Sequence, residues 1–88
     1  IAANCTLAPT NHAVTDRTRH IRDQGFQPSK GGIVIEEDAW LGANVVVLDG
    51  AIIRKGAVIG AGSVVRGEIP AYEIHAGAPA RRIGRRGD

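Results

Sequence analysis

Asn11-His12, followed closely by Asp16-Arg17, is the stretch of this chain best equipped for proton chemistry. Imidazole, with an unperturbed pKa of ~6.5, both accepts and releases a proton near neutrality. Its setting singles His12 out, because a regular pattern gives way there to a polar stretch, so a rigid element would meet a loop. His20, inside that stretch, and His75, near the end, have no comparable setting. Three histidines also raise the question of zinc. His12 and His20 are eight residues apart within a loop and His75 is far along the chain, a spacing unlike a three-histidine site, so no metal is expected.

Two further groups bear on chemistry. Arg81, Arg82, Arg85 and Arg86 place four arginines in six residues. They read either as a solvated C-terminal tail or as a site for a phosphorylated ligand. No aromatic residues interleave with them to stack on bases, so nucleic acid is not expected. The glycine-rich IGAGSVV, residues 59–65, is not a phosphate loop, since no Gly-Lys-Ser/Thr follows and no helix start is evident.

The spacing explains IGAGSVV better than the glycines do. Read in sixes from Ile35, the chain runs IEEDAW, LGANVV, VLDGAI, IRKGAV, IGAGSV, VRGEIP. Every frame opens on an aliphatic residue, and every fifth position is small or β-branched. Two more frames, IAANCT and LAPTNH, open the chain and put its lone cysteine, Cys5, at the small fifth position. Cys5 is therefore expected in the core, without chemistry. A period of six is neither helical nor a simple alternation. It fits short strands joined by tight bends, three to a coil, stacked about 4.8 Å apart.

Composition agrees with thin stacked layers. The 88 residues include 12 Gly but one Phe, one Trp, one Tyr and no Met. The expectation is a single all-β domain over residues 1–88, a parallel β-helix with a C-terminal tail over 71–88. Eight clean hexads make fewer than three coils, a thin core that oligomerisation would complete. No apolar run approaches the ~20 residues of a membrane span, so no membrane is expected. One cysteine, with no partner for a disulfide, makes a reducing cytoplasm the default.

Between the second and third frames the period breaks over residues 13–32, AVTDRTRHIRDQGFQPSKGG. This polar stretch reads as a loop leaving the coil and returning. Loops of such length in a compact repeat are usually functional.

The hexads, the loop opening NHAVTDRTR, the block IEEDAWLGANVVVLDGAII, then IGAGSVVRGEIP and AGAPARRI together resemble the hexapeptide-repeat acyltransferases. The likeness is to galactoside and maltose O-acetyltransferases and related sugar or polysaccharide O-acetyltransferases, and it covers nearly the whole chain. It implies a left-handed coil, a homotrimer with active sites between subunits, acetyl-CoA as donor and a sugar-like acceptor. Because members carry further coils upstream, it also implies a chain truncated at its N-terminus. Carried over by position, His12 resembles the general base that deprotonates the acceptor hydroxyl. Asn11, Asp16 and Arg17 match the loop around the acceptor, and Trp40 the cleft lining. Gly42, Ala43, Ala61, Ser63, Arg66, Gly67, Arg81 and Arg82 match cofactor contacts, with small side chains along an extended pantetheine arm and guanidinium forks on phosphates. N-acetylation of an amino or nucleotide sugar and a non-catalytic, truncated β-helix are the alternatives.

Overall fold

The computed structural model describes residues 1–10, 13–26 and 29–87. Nine short strands make the three faces of a prism. One face stacks β1 (Thr6–Ala8), β4 (Val46–Leu48) and β7 (Val64–Val65). The second stacks β2 (Val34–Ile35), β5 (Ile52–Ile53) and β8 (Glu68–Ile69). The third stacks β3 (Trp40–Leu41), β6 (Val58–Ile59) and β9 (Glu73–Ala76), to which β10 (Arg81–Arg85) adds as an outer strand. All pairs among β1–β9 are parallel.

The six-residue beat is visible in the core. Leu41, Val47, Ile53, Ile59 and Val65 are fully buried, and Ile35 packs against them half-buried. Val45, Ala51, Ala57 and Ser63, the small positions between, are buried as well. Each fully buried aliphatic side chain contributes about 1.5–3 kcal/mol, so a few columns suffice for so thin a prism. Cys5 packs against this cluster and its thiol donates to Gly42 O at 3.2 Å.

Corners need the left-handed backbone region, and the sequence supplies residues that tolerate it. Asn4, Asn44 and Gly62 form one such column, with φ of 61°, 60° and 74°. At another corner Asp38 and Gly56 are followed by Tyr72, whose φ of 63° is unusual for a bulky residue. Neighbours hold it there. The Tyr72 amide donates to Lys55 O, and its ring lies where a Cβ on Gly56 would come within 2.4 Å of Cε1. Arg86 sits 5.9 Å above the ring centroid and donates to Gly56 O and to Asp38.

The last coil departs from the hexad frame. Partners lie 18 positions apart in Val34↔Ile52, Trp40↔Val58 and Val46↔Val64, but 16 apart in Ile52↔Glu68 and Val58↔Ile74. The shortening falls at Arg66-Gly67, so Ile69, not a residue six beyond Val65, continues the aliphatic column. His75 then falls beneath Ile59 and Glu73 beneath Ala57. Within the stretch 71–88, β9 completes the third coil, and β10 folds back antiparallel on it, with an irregularity between Arg82 and Gly84.

Between β1 and β2 the chain leaves the prism. Thr6 pairs with Val46 forty positions on, 22 more than one regular coil. The described part of this loop ties itself together. Ala13 N–H donates to Gly25 O at 2.8 Å. The Gln24 amide donates to Asp16 O and Arg19 O and accepts from Asp16 N–H. A single 3-10 turn spans Ile21–Asp23.

Candidate functional site

Two edges border the β1–β4–β7 face, and the site residues expected from sequence divide between them. At the first edge the turns 42–45 and 60–63, which lead into β4 and β7, have four residues each, and the hairpin turn 77–80 between β9 and β10 lies below them. Asn44 N–H donates to Ala3 O, Gly62 N–H to Ala43 O and Val64 N–H to Gly77 O, at 2.9–3.1 Å. The first two bonds stack Ala3, Ala43 and Ala61 along the prism, so nothing larger than a methyl stands on the strip, while the third sets Gly77 against Ser63. Gly42 is packed so tightly that a Cβ would lie 2.7 Å from Ala61 N. Trp40 stands beside the strip on the neighbouring face, 53% exposed. It is no core residue, because its register with Val58 turns it outward while Leu41 points in.

Ser63, expected among the cofactor contacts, is buried. It is fully enclosed, its hydroxyl donating to Gly60 O at 2.6 Å and accepting from Gly77 N–H at 3.0 Å. That hydroxyl knits two successive turns together and has no face toward a ligand outside the prism.

The second edge carries the loop. Asn11 and His12 lie outside the described residues. Asp16 turns its carboxylate onto the Thr18 hydroxyl and amide, at 2.7 and 2.9 Å. These bonds, the hydroxyl's foremost, hold its pKa below 3.8. Asp16 thus organises the loop, while Arg17 is exposed. Arg66 and Gly67, expected on the strip with Ala43 and Ala61, stand on this second edge, since β7 carries the chain across the face between them.

The returning arm of the loop is gripped by a residue that sequence reasoning passed over. Asp49 is 6% exposed. Its carboxylate accepts from Lys30 N–H at 2.7 Å, Gly32 N–H at 2.9 Å and the Ser29 hydroxyl at 3.3 Å. The Lys30 amide is the main cause of a pKa held below 3.8, against the opposing effect of burial. The Asp-Gly pair at 49–50 marked a turn, but nothing in the linear order joined it to residues 29–32.

At the C-terminal end, Arg81 follows the last turn of the strip and is exposed. Arg82 lies 3.4 Å from Glu73, which also contacts His75 Nε2 at 3.0 Å. His75 is 8% exposed, and its Nδ1 has no hydrogen-bond partner among the described residues. Its place in an aliphatic column could have been read only by allowing the two-residue slip. Among the described residues no group of three His, Cys, Asp or Glu side chains is placed to hold a metal ion, and no helix is long and apolar enough to cross a membrane.

The six-residue repeat has its counterpart in known proteins. Residues 32–67 match the family described as "Bacterial transferase hexapeptide (six repeats)". Over those residues the chain carries the repeat of this hexapeptide family. Its coil is a left-handed parallel β-helix. Among hexapeptide proteins, it is 55% identical over 88 residues to the "Putative lipopolysaccharide biosynthesis O-acetyl transferase WbbJ" of Escherichia coli (strain K12), covering 94% of this chain and 45% of that one. It is 50% identical over 56 residues to a "2,3,4,5-tetrahydropyridine-2,6-dicarboxylate N-acetyltransferase" of Clostridium perfringens (strain SM101 / Type A), covering 64% of this chain and 24% of that one. A solved "galactoside acetyltransferase in complex with coenzyme A" superposes with a TM-score of 0.80 at 37% identity, covering 94% of this chain and 40% of that one. The chain spans less than half the length of these relatives.

Proposed function

We propose that this hexapeptide chain carries the catalytic β-helix of an acetyl-CoA-dependent O-acetyltransferase acting on a hydroxyl of a sugar or related acceptor. The observation that carries the reading is the strip Ala3–Ala43–Ala61, bare of large side chains, with the turn before Arg81 at its foot. An extended chain of amides can lie along such an edge like an added strand, as in β-strand addition. Arg81 and Arg82 would meet the phosphates of the nucleotide end, where planar guanidinium forks suit phosphate oxygens. Similarity to an O-acetyl transferase and to a galactoside acetyltransferase that binds coenzyme A supports both donor and acceptor class.

Acetyl-CoA supplies an acyl group already activated as a thioester, so the chain's task is to position and to move a proton. His12 takes the proton from the acceptor hydroxyl, a poor nucleophile at neutral pH, and returns it to the departing sulfur. Trp40 walls the cleft, and Asp16 keeps in shape the loop that follows His12. The loop and the strip stand on different edges, with the β1–β4–β7 face between them. A loop that reaches the strip of a neighbouring copy brings them together, which favours a homotrimer with its sites between subunits.

His12→Ala should lower kcat by about 10²–10⁴-fold while the assembly and CoA binding persist, as read by steady-state kinetics, sedimentation and calorimetry. Activity lost only together with the assembly would remove His12 from this role. The likeness to an N-acetyltransferase favours a second reading, an amino acceptor. A panel pairing each sugar with its amino counterpart separates the two.

A further inference from the structure

We infer that Asp49 is a positioning residue for the loop adjoining His12, acting through its grip on the returning arm 29–32; the inference rests on the function proposed above. All three donors to its carboxylate come from that arm: the Ser29 hydroxyl, Lys30 N–H and Gly32 N–H. A fourth bond, Gly50 N–H to Gly32 O at 2.7 Å, runs from the residue after Asp49. The arm also lies close against this corner, since a Cβ on Gly50 would come 2.9 Å from Lys30 Cβ.

The dependence is mutual. A buried carboxylate is costly without donors, and the arm's two amides have in it their hydrogen-bonding partner. With the arm docked, every group is satisfied. With it undocked, Asp49 must hydrate in a corner shaped to exclude water. Four residues before the arm, the loop is closed by a second bond. Gly25 O accepts from Ala13 N–H, so the returning side of the loop is joined to the residue that follows His12 in the chain. Asp49 touches neither donor nor acceptor in this arrangement. Its effect is on where the loop stands, and therefore on the turnover step rather than on cofactor affinity.

The test uses Asp49→Asn, which keeps the shape but turns one acceptor into a donor facing an N–H, alongside Asp49→Ala. Steady-state kinetics and amide hydrogen exchange are read on both. For Asp49→Asn, kcat should fall about tenfold, since small misplacements are costly, and KM for acetyl-CoA should stay within about twofold. Exchange at Lys30 and Gly32 should quicken about tenfold or more, while Val58 and Ile59 in β6 keep their protection. Unchanged exchange at Lys30 and Gly32 overturns the grip. Quickened exchange with unchanged kcat, or a raised KM with kcat intact, overturns the positioning role. Loss of β6 protection in both variants overturns it too, by making Asp49 a residue of the fold as a whole. A wild-type chain without transfer activity would sink the proposed function and the kinetic part of this inference, while the exchange readout would still decide the grip.

Discussion

Along one edge of the β1–β4–β7 face both connections onto it are four residues, 42–45 and 60–63. Along the other they are 25, three and two residues: 9–33, 49–51 and 66–67. The first edge repeats its hydrogen bonds at the coil spacing and carries alanine and glycine where its turns stack. The second repeats one ladder bond, Val34 N–H to Ala51 O and Ile52 N–H to Gly67 O, but no connection length. A repeat that keeps its length presents the same groups at the same interval, which suits an extended ligand lying along it. A repeat that changes length at each coil can extrude, clamp or shorten, which suits groups that must be aimed. The hexapeptide coil thus keeps one edge for regularity and spends its irregularity on another.

The comparison breaks most sharply at Gly42. It has ordinary backbone geometry, but an added methyl would meet Ala61 N at 2.7 Å, and backbone on the next coil cannot yield. Gly42→Ala should cost about 3 kcal/mol through overpacking, read from the urea midpoint at constant slope. At the irregular edge a Cβ on Gly67 would meet nothing within 4 Å, and only its φ of +76° resists. Gly67→Ala should therefore cost about 1 kcal/mol. Equal losses would mean that the two edges are equally tight.

A finer contrast lies inside a single turn of the regular edge, between Ala61, exposed, and Ser63, enclosed. Ala61→Leu should raise KM for acetyl-CoA about tenfold, the equivalent of ~1.4 kcal/mol, with no change in melting temperature. Ser63→Ala leaves Gly77 N–H without its partner and should cost about 1–2 kcal/mol of stability, with KM unchanged. The reverse pattern would return Ser63 to the cofactor and remove Ala61 from it.

How much of this was legible depended on whether a feature repeats. The aliphatic columns, the small positions, Cys5 in the core and the extruded loop all follow from counting in sixes. The last coil does not, because Val65 to Ile69 is four residues where Val47 to Ile53 is six. An even shortening keeps the inward–outward alternation of strands intact while it shifts the hexad frame. His75 and Glu73 therefore looked like tail residues although they stand beneath Ile59 and Ala57. The same slip hid β10, and with it Arg86, which belongs to the packing around Tyr72. Asp49 was illegible for another reason: its partners are 17–20 residues away across the loop. No periodicity links a corner to the arm that happens to close on it.

The smallest effect expected is one of pH, confined to the irregular edge. Hydrogen bonds from the Lys30 and Gly32 amides to its ionised form hold the Asp49 carboxyl below the usual carboxylate range. A folded pKa depressed in this way adds stability that is present above the unfolded value and lost as pH falls through the folded one. The charged group facing it is the Lys30 ammonium. The Asp49 carboxyl carbon shift should accordingly move with a midpoint under 3.8, and the Gly32 amide proton should follow the same curve. Gly62 N–H, bonded to Ala43 O on the regular edge, should not. If Gly32 and Gly62 move together, acid loosens the whole coil rather than one corner, and the distinction between the two edges fails. An Asp49 midpoint at or above 3.8 would mean that the arm gives the carboxylate no net support.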